Sequence, residues 1–224
     1  AYEKIAERND LNAVIHLGDY IYEYETGGYS ASLSDRENNP THEIVTLDDY
    51  RLRYSHYRLD HNLQDLHQQY PFICIWDDHE SANDAYKDGA ENHDETTEGV
   101  WETRKSNSRK AYFEWMPIRE SGSDSVIYRK FSYGDLLNLY MLDTRIEGRD
   151  EQVSASSSAV DDPNRSLLGS TQYNWLTSEL SSSSSQWNII GQQVMMAPLE
   201  AFGIPVNADQ WDGYNYERNQ LLNH

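Results

Sequence analysis

Short apolar runs separated by polar segments make up the first half of the chain. A β-branched run, Ala13–Leu17, ends at a glycine and follows a helical pattern from Tyr2 to Arg8. After a polar loop, Thr46 precedes two acidic residues and an apolar pattern at helical spacing, which predicts a capped helix. A second helix, Leu63–Tyr70, is predicted directly before a buried strand, Phe72–Trp76. Helices therefore alternate with strands here, as in αβ units.

The second half of the chain continues with the same kinds of element. A helix is predicted from about Thr103 to Trp115, and two alternating segments, Val126–Ser132 and Leu136–Leu142, flank a Gly-Asp turn and predict a hairpin. A capped helix, Ser170–Leu180, then leads into a last buried strand, Trp187–Gly191. The pattern predicts an α/β (α+β layered) fold in which helices flank mixed β-sheets, and residues 1–224 form one domain.

Polar residues crowd at the carboxyl ends of the predicted strands. Asp19 follows the first strand, Asp77–Glu80 the second, Asp143–Arg145 the third, and two glutamines the fourth. Ligands bind outside these ends in open α/β sheets. Carboxylate, imidazole and phenol groups suit Fe(III), Mn, Ca, Zn or Mg. The sequence therefore predicts a metal site, in which Asp19 is the candidate bridge between two ions.

Charge narrows the classes of partner. The chain has 18 basic and 38 acidic residues and a net charge of −20, which repels nucleic acid and anionic lipid unless metal ions intervene. Ten acids between Asp77 and Glu102 face one cation, Lys87, so this segment is either a solvated loop or a cation-binding one. No apolar run is long enough to span a membrane, and no signal sequence opens the chain. The lone Cys74 is predicted to be core.

Four motifs follow one another along nearly the whole chain: His16–Tyr24, Trp76–Asp84, Leu142–Arg145 and Trp211–Tyr214. Together they resemble the PhoD-like alkaline phosphatases, which belong to the calcineurin-like metallophosphoesterases and are akin to purple acid phosphatases. The resemblance implies a four-layer metallophosphoesterase sandwich. The cysteine ligand expected upstream and the Gly-Asp-x-His motif expected downstream are absent from this sequence, which predicts an internal fragment of a catalytic domain truncated at both ends.

The resemblance also implies a ligand set for Fe3+ and Ca2+, although other divalent metals are compatible with it. Asp19 would bridge the two metals and Tyr22 would be a phenolate ligand of the ferric ion. Either Asp78 or Asn83 would bind the second metal, and Asp212 would be a further calcium ligand. Each of two residues has an alternative explanation. For Tyr22 it is packing in a tyrosine-rich strand, and for Asp212 it is a role as helix N-cap only.

Two further residues would act on the substrate. By resemblance, His79 faces the leaving group or the phosphoryl oxygens, and Arg145 contacts phosphate unless the segment from Asp143 to Arg145 forms a strand-end salt bridge. The implied activity is hydrolysis of phosphate monoesters or diesters by a metal-activated water, outside the cytoplasm, in the periplasm or the extracellular space. The alternative is a truncated or non-catalytic acidic module that binds calcium or a partner. Exposed sheet edges would allow self-association.

Overall fold

The structure, a computed structural model, describes residues 1–28, 37–119 and 126–224. Residues 29–36, which belong to the polar loop predicted between Glu25 and Glu43, lie outside the described residues. The chain divides into two compact units. The first unit consists of Ala1–Asn83 and Asn92–Ser125, and the second consists of Asp84–Glu91 and Val126–His224.

The first unit is built of five helices and a two-stranded parallel sheet in its described part. Its elements are α1 Tyr2–Ala6, β1 Val14–His16, α2 Leu47–Tyr57, α3 His61–Gln69, β2 Phe72–Cys74, α4 Glu95–Glu98 and α5 Trp101–Trp115. Strands β1 and β2 run parallel, with Val14 opposite Phe72 and His16 opposite Cys74. Their carboxyl ends therefore lie side by side, as the αβ pattern predicted.

Local signals in the sequence explain where the helices of this unit begin. The hydroxyl of Thr46 accepts from the Asp49 backbone N–H, and the Asp49 carboxylate accepts from the Thr46 N–H, so α2 opens with the predicted cap. Asp60 caps α3 through the Leu63 N–H. Strand β2 ends at Cys74, two residues before the predicted end, and the Asp77 N–H that follows binds the carboxylate of Glu80. Cys74 is fully buried, as expected.

The second unit contains a three-stranded sheet, two helices and a small hairpin. Its elements are β3 Arg129–Tyr133, β4 Leu137–Met141, α6 Gly169–Ser182, β5 Trp187–Gly191, β6 Glu200–Ala201, β7 Ile204–Pro205 and α7 Asn215–Leu222, with 3-10 turns at Ser158–Asp161 and Trp211–Gly213. The strand order is β3-β4-β5, with β3 antiparallel and β5 parallel to β4. The predicted hairpin and last strand are therefore confirmed, whereas β6 and β7 were not predicted.

One apolar cluster fills the interior of the second unit. It consists of Tyr140, Leu142, Leu167, Leu168, Leu176, Val194, Trp211, Tyr214 and Leu221. Helix α6 contributes to it without the side-chain cap that the sequence predicted, because its N-cap residue is Leu168; the Gly169 N–H binds the hydroxyl of Ser166. No helix among the described residues is long and apolar enough to cross a bilayer. The α/β class that the sequence predicted is confirmed.

Candidate metal centre

A tight turn after β1 carries the first acidic residue of the centre. Gly18 has φ of +114° and Asp19 has φ of +57°. A Cβ atom on Gly18 would lie 2.3 Å from the backbone nitrogen of Asp77, so only glycine permits this approach of the two chain segments. Asp19 occupies the left-handed region, which aspartate tolerates better than most residues. The turn therefore sets the Asp19 carboxylate beside the segment that follows β2.

Three side chains from the two strand ends converge. One ligand atom from each of Asp19, Asp78 and His79 lies within 4.8 Å of the others. Asp78 and His79 are buried, with 5% and 6% of their surfaces exposed. Clustering two carboxylates at low exposure is unfavourable unless a positive charge compensates them. Carboxylate oxygens and an imidazole nitrogen form a donor set that suits a hard or borderline cation, so these residues fit a metal ion.

Tyr22 contacts two members of this cluster. Its hydroxyl donates a hydrogen bond to Oδ2 of Asp19 at 2.9 Å. Its ring stacks on that of His79 with centroids 4.2 Å apart, and the ring of Tyr24 lies 5.5 Å from His79 on centroids. The phenol of Tyr22, which the sequence predicted as a ligand, therefore lies at the centre, and its ring also packs against His79.

A buried glutamate that the sequence reasoning missed holds His79. Nδ1 of His79 lies 2.7 Å from Oε2 of Glu23, which is fully buried. Burial acts to lower the pKa of His79, but the bond to Glu23 and the charge of Asp78 outweigh it and raise the pKa to about 9. Burial acts to raise the pKa of Glu23, and the bond to His79 brings it below its ordinary value. The only feature of the sequence that pointed to Glu23 was its position between Tyr22 and Tyr24.

Glu80, which lies within the second motif, ties the two strand ends together. Its Oε1 accepts from the Tyr20 N–H at 2.5 Å and its Oε2 accepts from the Asp77 N–H at 2.8 Å. Burial, reinforced by the nearby charge of Asp19, raises the pKa of Glu80 to about 8. Glu80 therefore supports the centre by holding the backbone at Tyr20 and at Asp77.

The backbone of Asn83 is hydrogen-bonded to Glu23, the residue that holds His79. Its N–H donates to Oε1 of Glu23 at 2.7 Å, and the side chain of Asn92 donates to the same oxygen at 3.0 Å. The structure thus connects Asn83 to the carboxylate that holds His79. Whether its side-chain amide binds metal stays a prediction.

The remaining two nominated residues belong to the second unit. Arg145 forms a bidentate ion pair with Asp209, at 2.6 and 3.0 Å. Asp212 forms an ion pair with Arg218, and its other oxygen accepts from the Leu199 N–H at 2.9 Å. Asp212 does not cap α7, because it lies in the preceding 3-10 turn, so the N-cap alternative was wrong.

Part of the acidic segment has a structural explanation. Asp94 caps α4, and Oε1 of Glu95 accepts from the Trp101 N–H at 3.0 Å at the start of α5. Glu98 accepts from the buried guanidinium of Arg104 at 3.0 Å. These three acids are therefore bound to groups of the chain itself where α4 meets α5.

Comparison with known proteins gives concordant matches. The family model described as "PhoD-like phosphatase" matches residues 1–224. Alkaline phosphatase D of Bacillus subtilis (strain 168) is 37% identical over 236 residues, which cover 100% of this chain and 40% of that protein. A solved structure described as "Structure of PhoD" matches with a TM-score of 0.90 and 37% identity, over 100% of this chain and 44% of that one. The chain spans less than half the length of these relatives.

Proposed function

Because the chain belongs to the PhoD-like phosphatase family, we propose that it hydrolyses phosphate monoesters or diesters at the centre where Asp19, Asp78 and His79 converge, with the carboxylates as metal ligands and His79 acting on the substrate. The observation that carries the proposal is the convergence of these three side chains at the carboxyl ends of two parallel strands. The fold is metallophosphoesterase-like, as the close structural match indicates. The relative named alkaline phosphatase D supports the reaction class.

The ligands we propose fall into two groups. Asp19 and Tyr22 would hold Fe3+, and Asp19 with either Asp78 or Asn83 would hold the second metal. Asp212, in the second unit, would be a further calcium ligand. When bound, the ions would supply positive charge for the phosphoryl oxygens and a water of lowered pKa. The contact of the Tyr22 hydroxyl with Asp19 supports placing both residues in the same ligand group.

The chain's own acid in this scheme is His79. As an imidazolium, His79 would donate its Nε2 proton to the departing alkoxide oxygen and become neutral. Glu23 accepts from Nδ1 and stabilises the charged form that must exist before that transfer. Stacking on Tyr22 restrains the plane of the ring. The elevated pKa of His79 supports this role, since an acid must be protonated at the working pH.

Arg145 and Asp212 remain in the proposal with an added condition. Each already has an ion-pair partner inside the second unit: Asp209 for Arg145 and Arg218 for Asp212. A phosphate contact by Arg145, or calcium ligation by Asp212, would have to compete with that pair. Substitution of either partner is therefore a direct way to test these two roles.

The charge of the chain makes metal binding a condition for substrate binding. A net charge of −20 opposes the approach of a phosphate ester, and bound cations would reverse the local field at the centre. Removal of metal should thus abolish substrate affinity as well as turnover. We propose a periplasmic or extracellular location, in keeping with the family resemblance.

The experiment measures hydrolysis of p-nitrophenyl phosphate and bis-p-nitrophenyl phosphate, with and without Fe3+ and Ca2+, for the wild type and Asp19→Asn. Asp65→Asn is the control, because it removes one exposed carboxylate from α3 that does not belong to the cluster. We expect metal-dependent hydrolysis that Asp19→Asn reduces by more than about a hundredfold, beyond the loss typical of outer-sphere partners. Metal binding without hydrolysis would instead favour the alternative of a non-catalytic, calcium-binding module.

A further inference from the structure

We propose that the hairpin formed by β6 and β7 is a membrane-contact surface, which enters the headgroup region of an electrically neutral bilayer. The apolar side chains that form this surface are called the hairpin face: Leu199, Ala201, Phe202, Ile204 and Val206. They lie wholly within the second unit. Contact with a bilayer through these residues requires no catalytic activity, so it can be measured separately from hydrolysis.

The tip of the hairpin carries a residue that its turn does not favour. Two residues, Phe202 and Gly203, join the strands, because Ala201 lies opposite Ile204. Both have positive φ, +56° and +77°, as in a type I′ turn, whose first position usually holds Asn, Asp or Gly. Phe202 is strained in this left-handed conformation and is also fully exposed, so no packing inside the chain compensates the strain. A contact outside the chain would explain the phenylalanine.

The strands behind the tip present an apolar face. Residues opposite each other in an antiparallel pair share a face, and so do residues two apart along a strand. Ala201 lies opposite Ile204, and the Val206 N–H donates to the Leu199 carbonyl at 2.9 Å. These four residues therefore share one face, and Glu200 lies on the other. Ile204 and Val206 are 50% and 57% exposed, so the hairpin face is a contiguous apolar patch of the kind that marks an interaction site.

The base of the hairpin is held to the interior of the second unit. The Leu199 N–H donates to Oδ2 of the buried Asp212 at 2.9 Å, and Arg218 binds the other oxygen of that carboxylate. The Trp211 N–H donates to the Met195 carbonyl at 3.3 Å. These bonds fix the hairpin at its base, so the exposed tip is presented on an ordered support.

Charge selects the kind of bilayer. Glu200 is the only charged residue between Met195 and Val206, although a quarter of the whole chain is charged. The net charge of −20 repels anionic lipid, and this segment has no lysine or arginine that would attract it. A bilayer of zwitterionic headgroups, such as phosphatidylcholine, imposes no such repulsion. The hairpin face therefore fits neutral lipid.

The area of the hairpin face favours a bilayer over a second copy of the chain. A stable protein interface needs about 800 Å² from each partner. One large aromatic side chain supplies roughly 150–250 Å², and the other members of the hairpin face are aliphatic and smaller. The hairpin face falls short of what a stable dimer needs. Insertion into a bilayer has no such threshold, because each apolar group that leaves water contributes by itself.

The test is flotation of the chain with vesicles of pure phosphatidylcholine. Phe202→Asn places a residue that the turn prefers at the tip, so its Tm should equal or exceed that of the wild type. We expect the wild type to float with the vesicles and Phe202→Asn to lower the partition coefficient at least about tenfold, since it removes a phenylalanine side chain from the contact. Absence of wild-type flotation, or equal flotation of Phe202→Asn, would overturn the proposal.

Trp187→Thr is the matched control, because it removes an exposed aromatic side chain from β5, outside the hairpin. It should float as the wild type does, and a loss equal to that of Phe202→Asn would show general adhesion and overturn the proposal. Addition of anionic phosphatidylglycerol should not tighten binding, and tighter binding would overturn the assignment to neutral lipid. A dimer in sedimentation that Phe202→Asn converts to a monomer would assign the hairpin face to a second copy instead.

A fluorescent label reports insertion directly. Cys74 is the only cysteine and is buried, so a cysteine added at the surface is the accessible thiol. A nitrobenzoxadiazole label on Phe202→Cys should brighten at least about twofold with phosphatidylcholine vesicles, because it leaves water. The same label on Leu136→Cys is the control, since Leu136 is an exposed apolar residue beside the turn between β3 and β4. Equal brightening at the two positions would overturn insertion by the hairpin face.

Discussion

The hydroxyl of Tyr22 donates a hydrogen bond to Oδ2 of Asp19 at 2.9 Å, while the same tyrosine stacks its ring on His79. The sequence left two explanations for Tyr22, packing and metal ligation. Both contacts are present, and they use different parts of the side chain. Removing the hydroxyl alone separates them, because phenylalanine keeps the ring and loses the oxygen.

Tyr22→Phe should abolish any visible colour of the iron-loaded chain. A ferric ion bound by phenolate absorbs visible light by charge transfer, and phenylalanine cannot form that bond. Loss of one hydrogen bond should change the free energy of unfolding by only about 1 kcal/mol. Absorption spectra after Fe3+ loading check the prediction, with Tyr24→Phe as the control. A coloured Tyr22→Phe protein would contradict ligation by Tyr22.

Asp19→Asn should remove the stabilisation that added metal gives. Asparagine tolerates the left-handed backbone of this residue, at φ +57°, so metal-free stability should change by no more than about 1 kcal/mol. Ligand at a hundred times its Kd stabilises a binding protein by about 2.7 kcal/mol. Thermal unfolding with and without Ca2+ should show a rise in Tm for the wild type and for Asp65→Asn, and none for Asp19→Asn. An undiminished rise in Asp19→Asn would remove Asp19 from the ligand set.

Gly18→Ala should destabilise the first unit far more than Gly27→Ala. Both glycines have positive φ, +114° and +94°, so both substitutions carry the strain of a left-handed alanine, about 1–2 kcal/mol. Only at Gly18 would the new Cβ meet backbone, 2.3 Å from the Asp77 nitrogen, whereas nothing lies within 4 Å at Gly27. The overlap should add roughly 1–3 kcal/mol or more. Urea unfolding of the two variants measures the difference, and equal losses would show that the close approach is unimportant.

The turn at Gly18 shows what could be predicted from the sequence and what could not. A β-branched run that ends in Gly-Asp and a buried strand that ends in Asp-Asp-His-Glu predict parallel neighbours, whose polar ends meet. That inference needs only local patterns. Glu23 could not be placed in this way, because its donors Asn83 and Asn92 are 60 and 69 residues away along the chain. A glutamate between two tyrosines shows no sign of such partners until the fold brings them together.

The stability of the first unit should fall as the pH drops from about 6.5 towards 4, in part through His67. Burial, and secondarily the charge of Arg58, lowers the pKa of His67 to about 4 from an ordinary value of 6.5. The unfolded chain therefore binds protons in this range while the folded chain does not, so the contribution is complete above pH 6.5 and lost on acidification. His67→Gln should make the decline shallower, because glutamine does not titrate. In the wild type the Tyr20 hydroxyl lies 2.8 Å from Nε2 of His67, and glutamine can still accept a hydrogen bond from that hydroxyl.

Urea unfolding at several pH values between 7 and 4 measures that slope. His61→Gln is the matched control, since His61 is an exposed histidine of the same helix, α3. The control should decline as steeply as the wild type. An unchanged slope in His67→Gln, or an equal flattening in the control, would contradict the assignment.

Asp209→Asn should destabilise the second unit more than Arg145→Gln does. Asp209 forms ion pairs with both Arg145 and Arg149, each at 2.6 Å, and both guanidinium groups are buried. Removing Asp209 leaves two buried cations without their shared carboxylate, at a cost of about 3–5 kcal/mol. Removing Arg145 leaves one intact pair of Arg149 with Asp209 and should cost less.

Chemical unfolding, followed by a probe in the second unit, ranks the free energies of unfolding of these variants. Lys130→Gln is the control. It breaks a partly exposed ion pair with Glu179, and its expected loss is below about 1 kcal/mol. Burial acts to raise the pKa of Asp209, but the two arginines bring it below its ordinary value. Its contribution to stability is therefore present above the ordinary carboxyl pKa and lost as the pH falls through the lowered one. Asp209→Asn should remove this part of the acid dependence, and a larger loss in Arg145→Gln would show that Arg145 has a further partner of greater weight than Asp209.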